Sequence, residues 1–80
     1  MDTQKKVLEI FQRNLPDYTG PLDAETRFAD IPDWDSIAQV NAILTLEDAF
    51  QVNAVFEQTF EMQTVGEVAE MFDRLLHDGR

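Results

Sequence analysis

Eighty residues suffice for one domain with a modest core and leave little room for a deep catalytic cleft. A hydrophobic share of 44% argues against disorder, and the lack of cysteine excludes disulfides, thiolate catalysis and cysteine zinc sites. Sixteen acidic residues against six basic ones give a net charge of -10, which repels nucleic acid and anionic membrane and attracts basic protein surfaces.

In chain order, the first helical pattern runs from about Thr3 to Leu15. Val7, Leu8, Ile10, Phe11 and Leu15 recur at helical spacing, with Asp2 as cap and Pro16 as stop. A long connection follows from Pro16 to Asp35, punctuated by Gly20, Pro21 and Pro32. Leu22, Phe28 and Ile31 are expected to tie it to the core, with a short helical turn around Arg27 to Asp30.

The second helix is expected from Ser36 to about Phe50. Val40, Ile43, Leu46 and Phe50 point inward in this reading, while Asn41, Thr45 and Asp48 stay in water. A short third helix is expected around Phe56 to Met62. The last helix opens on Thr64-Val65-Gly66-Glu67, a Thr-x-x-Glu capping box. Val65, Val68, Ala69, Phe72, Leu75 and Leu76 continue it as an apolar stripe, and Gly79 ends it. The fold expected is all-α: a four-helix bundle with three long helices, one short helix and a long first loop.

No apolar run reaches the roughly twenty residues that span a bilayer. Met1-Asp2-Thr3-Gln4-Lys5-Lys6 lacks the apolar stretch of a signal peptide. A cytoplasmic, monomeric domain over residues 1–80 is the expectation.

Charge is unevenly placed. Between Arg27 and Arg74 there is no lysine or arginine, while Asp30, Asp33, Asp35, Glu47, Asp48, Glu57, Glu61, Glu67, Glu70 and Asp73 all fall there. Such a face either keeps the domain soluble or meets basic partners. Catalytic constellations are absent. The single histidine, His77, lies near the C-terminus, where solvent exposure is expected. Asp30, Asp33 and Asp35 loosely resemble a calcium loop but lack its glycine and terminal glutamate. No catalytic residue and no metal site is expected.

Ser36 stands apart as the only serine. It opens the second helix directly after Asp35, where unpaired N–H groups and the positive end of the helix dipole accommodate a phosphodiester. Two local readings are open. Ser36-Ile37-Ala38-Gln39 is also a Ser-x-x-Gln capping box, which would engage the Ser36 oxygen. If Asp35 caps the helix instead, the Ser36 hydroxyl is free.

From about Phe28 to Phe72 the chain resembles the acyl carrier protein family. Asp35-Ser36-Ile37 matches the family's Asp-Ser-Leu/Ile attachment motif. Phe28 precedes it at the expected distance, and Val40, Leu46, Glu47, Asp48 and Phe50 follow as in the family's second helix. Thr64-Val65 opens the last helix as it often does in carriers.

The resemblance implies a 4'-phosphopantetheine arm on Ser36, placed there by a phosphopantetheinyl transferase with Asp35 orienting magnesium. It also implies acyl thioesters carried for fatty-acid, polyketide or related biosynthesis, with no catalysis by the chain itself. Partner enzymes with basic patches would meet Ile37, Val40 and Leu44 as apolar contacts and Glu47 and Asp48 as charged ones. The chain departs from the pattern in places. Pro32-Asp33-Trp34 stands where many carriers have glycine before the motif, and Gln39 and Asn41 stand where many fatty-acid carriers are acidic. Phe56 and Phe60 add bulk near the third helix, where an acyl chain would otherwise be sequestered. Trp34 is expected to pack over the loop, with contact to the arm as the alternative. The competing function is a non-catalytic acidic helical interaction module in which Ser36 is only a cap.

Overall fold

The computed structural model describes residues 2–78, the side chain of Asp78 excepted. Three long helices carry the fold: α1 (Asp2–Asn14), α2 (Ser36–Phe50) and α4 (Val65–Asp78). A single turn, α3 (Phe56–Thr59), lies between α2 and α4, and a 3-10 turn (Phe28–Asp30) interrupts the first loop. The described residues contain no strand, only one isolated bridge between Arg27 and Thr64. No helix among them is long and apolar enough to cross a membrane.

α1 follows its apolar spacing. Thr3, Val7, Ile10 and Phe11 form the buried stripe, and α1 packs against both α4 and α2. Asp2 is the first residue of the helix rather than the residue before it, so the expected Asp2 cap does not form. Thr3 takes the anchoring role, donating its hydroxyl to Asp73 of α4 at 2.9 Å. The helix ends one residue before Leu15, which stays half-buried against the core.

In α4, Val65, Val68, Ala69, Met71 and Phe72 are buried. Met71 joins the core beside the expected stripe, while Leu75 and Leu76 are only half-buried. Thr64 accepts from the Glu67 N–H at 3.2 Å, which forms half of the expected capping box. The expected stop at Gly79 lies outside the described residues.

α2 is apolar on more than one side, so its inward face is hard to read from sequence. Gln39, Ala42, Ile43 and Leu46 form the buried stripe at three-and-four spacing. Val40 and Phe50, expected inside, are only half-buried. The physical reason is rotation: with Ile43 and Leu46 at the centre of the face, positions 39 and 42 share it and position 40 falls on its flank. The helix ends at Gln51, whose left-handed backbone (φ 57°, ψ 46°) lets its N–H reach the Glu47 carbonyl. α3 is shorter than expected and stops at Thr59 rather than Met62.

The first loop is stapled to the segment before α4. Phe28 N–H bonds the Gln63 carbonyl at 2.9 Å, Val65 N–H the Thr26 carbonyl at 3.0 Å, and Gly66 N–H the Ala24 carbonyl at 2.8 Å. Arg27 adds a side-chain bond to Gln63 at 2.9 Å. Phe28 and Ile31 are thereby buried and Leu22 half-buried, as the loop's apolar residues predict. Gly66 permits the contact: a Cβ there would lie 2.6 Å from the Ala24 carbonyl oxygen. At the core, Phe11, Phe72, Ile43 and Leu46 are fully buried, each stabilising the fold by about 1.5–3 kcal/mol relative to exposure.

Candidate functional site

The site is built where the first loop enters α2. The chain turns at Asp33, whose φ of 63° is left-handed, a conformation most L residues avoid and aspartate tolerates. The turn into α2 thus needs a positive φ within the run Pro32-Asp33-Trp34, and Asp33 supplies it.

Trp34 then packs as expected. Its ring stacks on Phe28 with centroids 4.9 Å apart and planes 10° apart, and on Phe11 at 5.8 Å. Its indole N–H donates to the Gln39 side-chain oxygen at 3.1 Å.

Asp35 is extended and caps α2, its carboxylate accepting from the Ala38 N–H at 2.8 Å. The Ser-x-x-Gln capping box therefore does not form. Gln39 turns inward, donating to the Thr59 carbonyl at 3.0 Å, and is 5% exposed. Ser36 occupies the first helical position and is exposed. Its own N–H and that of Ile37 start the helix, with the dipole's positive end beside the hydroxyl.

Ser36 lines a shallow cavity of about 220 Å³ together with Phe28, Trp34, Asp35, Gln39, Thr59, Phe60 and Met62. Thr59 is fully buried, its hydroxyl donating to the Phe56 carbonyl at 2.6 Å. Phe60, by contrast, is 53% exposed at the rim. A second cavity, about 420 Å³, is also lined by Trp34 but not by Ser36.

The other residues read from the sequence fall on α2 in two groups. Ile37 is 70% exposed and Leu44 49%, and with exposed Asn41 and Asp48 they make one outward stripe at three-and-four spacing. Val40 sits half-buried on its flank. Glu47 is half-buried, and its carboxylate accepts the Ala54 N–H, closing the α2–α3 connection. One Glu47 oxygen is thus engaged within the chain, which leaves Asp48 as the freer acid of the pair.

Sequence reasoning missed the burial of Gln39 and the approach of Thr59 and Met62 to Ser36. Gln39 carried a usable signal, since it keeps the three-and-four register with Ile43 and Leu46. The others carried none, because their approach to Ser36 depends on how the α2–α3 connection folds back. Among the described residues no group of three or more histidine or acidic side chains gathers as metal ligands would.

No protein-family model, curated protein or solved structure matches the chain.

Proposed function

We propose that this chain is an acyl carrier protein that accepts a 4'-phosphopantetheine arm on Ser36. The observation that carries the reading is the division of labour at the start of α2. Asp35 satisfies the helix terminus, so the adjacent Ser36 hydroxyl stays exposed and unclaimed by capping. That is what an acceptor needs and what a plain cap lacks.

In the transfer, Ser36 Oγ forms the new phosphodiester bond, the pyrophosphate of coenzyme A is cleaved, its nucleotide half leaves and the hydroxyl proton goes to base. Asp35 Oδ1 holds the helix, and the carboxylate's exposed position suits it to orient magnesium. The N–H groups opening α2 favour the phosphodiester's negative charge. When bound, the arm supplies a thiol that carries acyl groups as thioesters, which a chain without cysteine cannot supply itself.

The helices would then form the four-helix bundle of a carrier, with α3 as the short member. The chain would act as a cytoplasmic monomer and leave catalysis to its partners. A phosphopantetheinyl transferase and the acyl-handling enzymes of fatty-acid, polyketide or related biosynthesis would dock on the outward stripe of α2. Ile37 and Leu44 give it apolar contacts, with Val40 at its edge. Asp48, and the remaining oxygen of Glu47, meet basic side chains. Such contacts favour fast, reversible encounters.

The test is an intact mass after incubation with coenzyme A, magnesium and a promiscuous phosphopantetheinyl transferase. One added arm, lost in Ser36→Ala, is expected. No gain across several transferases would instead favour an acidic interaction module using the same face.

A further inference from the structure

The larger of the two cavities beside Trp34 has no part in the carrier reading. It holds about 420 Å³, the size of a small-molecule pocket, with room for about a dozen non-hydrogen atoms. Leu15, Pro16, Tyr18, Pro32, Trp34 and Ala38 make its apolar wall, where the first loop leaves α1 and returns to α2.

Both aromatic walls are already in place. Tyr18 donates its hydroxyl to the Pro21 carbonyl at 2.8 Å. Its ring lies so close to Gly20 that a Cβ there would fall 2.7 Å from the hydroxyl oxygen. Trp34 is held by its stack on Phe28 and its bond to Gln39. Side chains fixed in this way lose little freedom when the pocket fills.

The charge around the cavity has one sign. Asp17 and Asp33 line it and are exposed, and no lysine, arginine or histidine lines it. Neither aspartate enters an ion pair among the described residues, where the one pair joins His77 to Asp73. An anion entering here would meet two carboxylates in a chain of net charge -10, whereas a cation would be paired by them.

We propose that this cavity binds a small organic cation, an ammonium on an apolar body about the size of an aromatic ring. The body lies against Leu15, Tyr18 and Trp34, and the ammonium meets Asp17 and Asp33. The site goes beyond the carrier reading: it uses neither Ser36 nor an arm.

The test titrates the full, unmodified chain with phenethylammonium in about 0.15 M sodium chloride, where screening acts within about 8 Å. Trp34 is the only tryptophan, so its fluorescence reports on the cavity wall. Amide NMR shifts of Asp17, Tyr18, Gly20 and Asp33 separate this cavity from the one beside Ser36. Saturable shifts are expected at those amides, with a dissociation constant of about 0.1–1 mM for a ligand of this size. Phenethyl alcohol, the same body without the charge, is expected to bind about fourfold more weakly or worse. Ethylammonium, the charge without the body, and phenylacetate are expected not to saturate. Asp33→Asn keeps a residue that tolerates the left-handed turn and is expected to weaken phenethylammonium about two- to fivefold, as is Asp17→Asn. Ala38→Leu fills the cavity from α2 and is expected to abolish saturation.

Equal affinity for phenethyl alcohol overturns the charge assigned to the ligand, and saturation by ethylammonium reduces the site to diffuse attraction. Shifts centred on Ser36, Thr59 and Phe60, or no saturable shift at all, overturn the site. So does an Ala38→Leu variant that binds as the parent does. If Ala38→Leu does not fold, the two aspartate variants and the amide pattern decide. Loading of Ser36 is a separate measurement, so the failure of either reading leaves the other standing.

Discussion

Replacing Gly66 by alanine sets two physical effects against each other. Gly66 is the second residue of α4 and lies in ordinary helical backbone. Helix propensity alone favours alanine by about 0.5–1 kcal/mol. The structure points the other way. The added Cβ would sit 2.6 Å from the Ala24 carbonyl oxygen, a backbone atom that cannot simply swing aside. Restoring an ordinary carbon–oxygen contact of about 3.3 Å means opening the gap by roughly 0.7 Å. The Gly66 N–H to Ala24 bond, now 2.8 Å, would then stretch toward the limit of a hydrogen bond. The neighbouring bonds from Val65 to Thr26 and from Phe28 to Gln63 belong to the same staple and would be strained with it. Overpacking and lost bonding together cost about 1–3 kcal/mol. The net is a destabilisation of up to about 2.5 kcal/mol, centred on about 1 kcal/mol, which is a fall in thermal midpoint of about 4–8 °C for a domain of this length. Urea and thermal unfolding followed by circular dichroism measure it. An unchanged or higher midpoint for Gly66→Ala would refute the close approach of loop and helix.

Three other outcomes follow from the same structure. Asp35→Ala removes the cap of α2 and is expected to cost about 0.5–2 kcal/mol in urea unfolding, whereas Asp35→Asn keeps a capping oxygen and stays close to the parent; on the carrier reading, Asp35→Asn still loads the arm far more slowly in a timed mass assay. Gln51→Gly relieves a left-handed residue at the end of α2 and is expected to gain roughly 0.5 kcal/mol, and a loss in the same denaturation assay would contradict that conformation. A net charge of -10 repels itself, so sodium chloride should raise the thermal midpoint by screening; a midpoint that falls with salt would show that attractive pairs outweigh the repulsion.

The sequence by itself determined where the three long helices lie, to within a residue or so at their ends. α2 begins at Ser36 and ends at Phe50 as its spacing predicts, and the Thr64 box marks the start of α4, because helix periodicity and end signals are local properties of the chain. It also singled out Ser36, by its uniqueness and its place after Asp35. Tertiary structure decided which oxygen caps α2, since both Asp35 and Ser36 are competent caps and only the path of the chain through Asp33 chooses between them. It likewise decided that Gln39 is buried while Ile37 and Leu44 face water. A polar side chain can be interior when distant partners satisfy it, here Trp34 and the Thr59 carbonyl, and local apolar spacing contains no record of such partners.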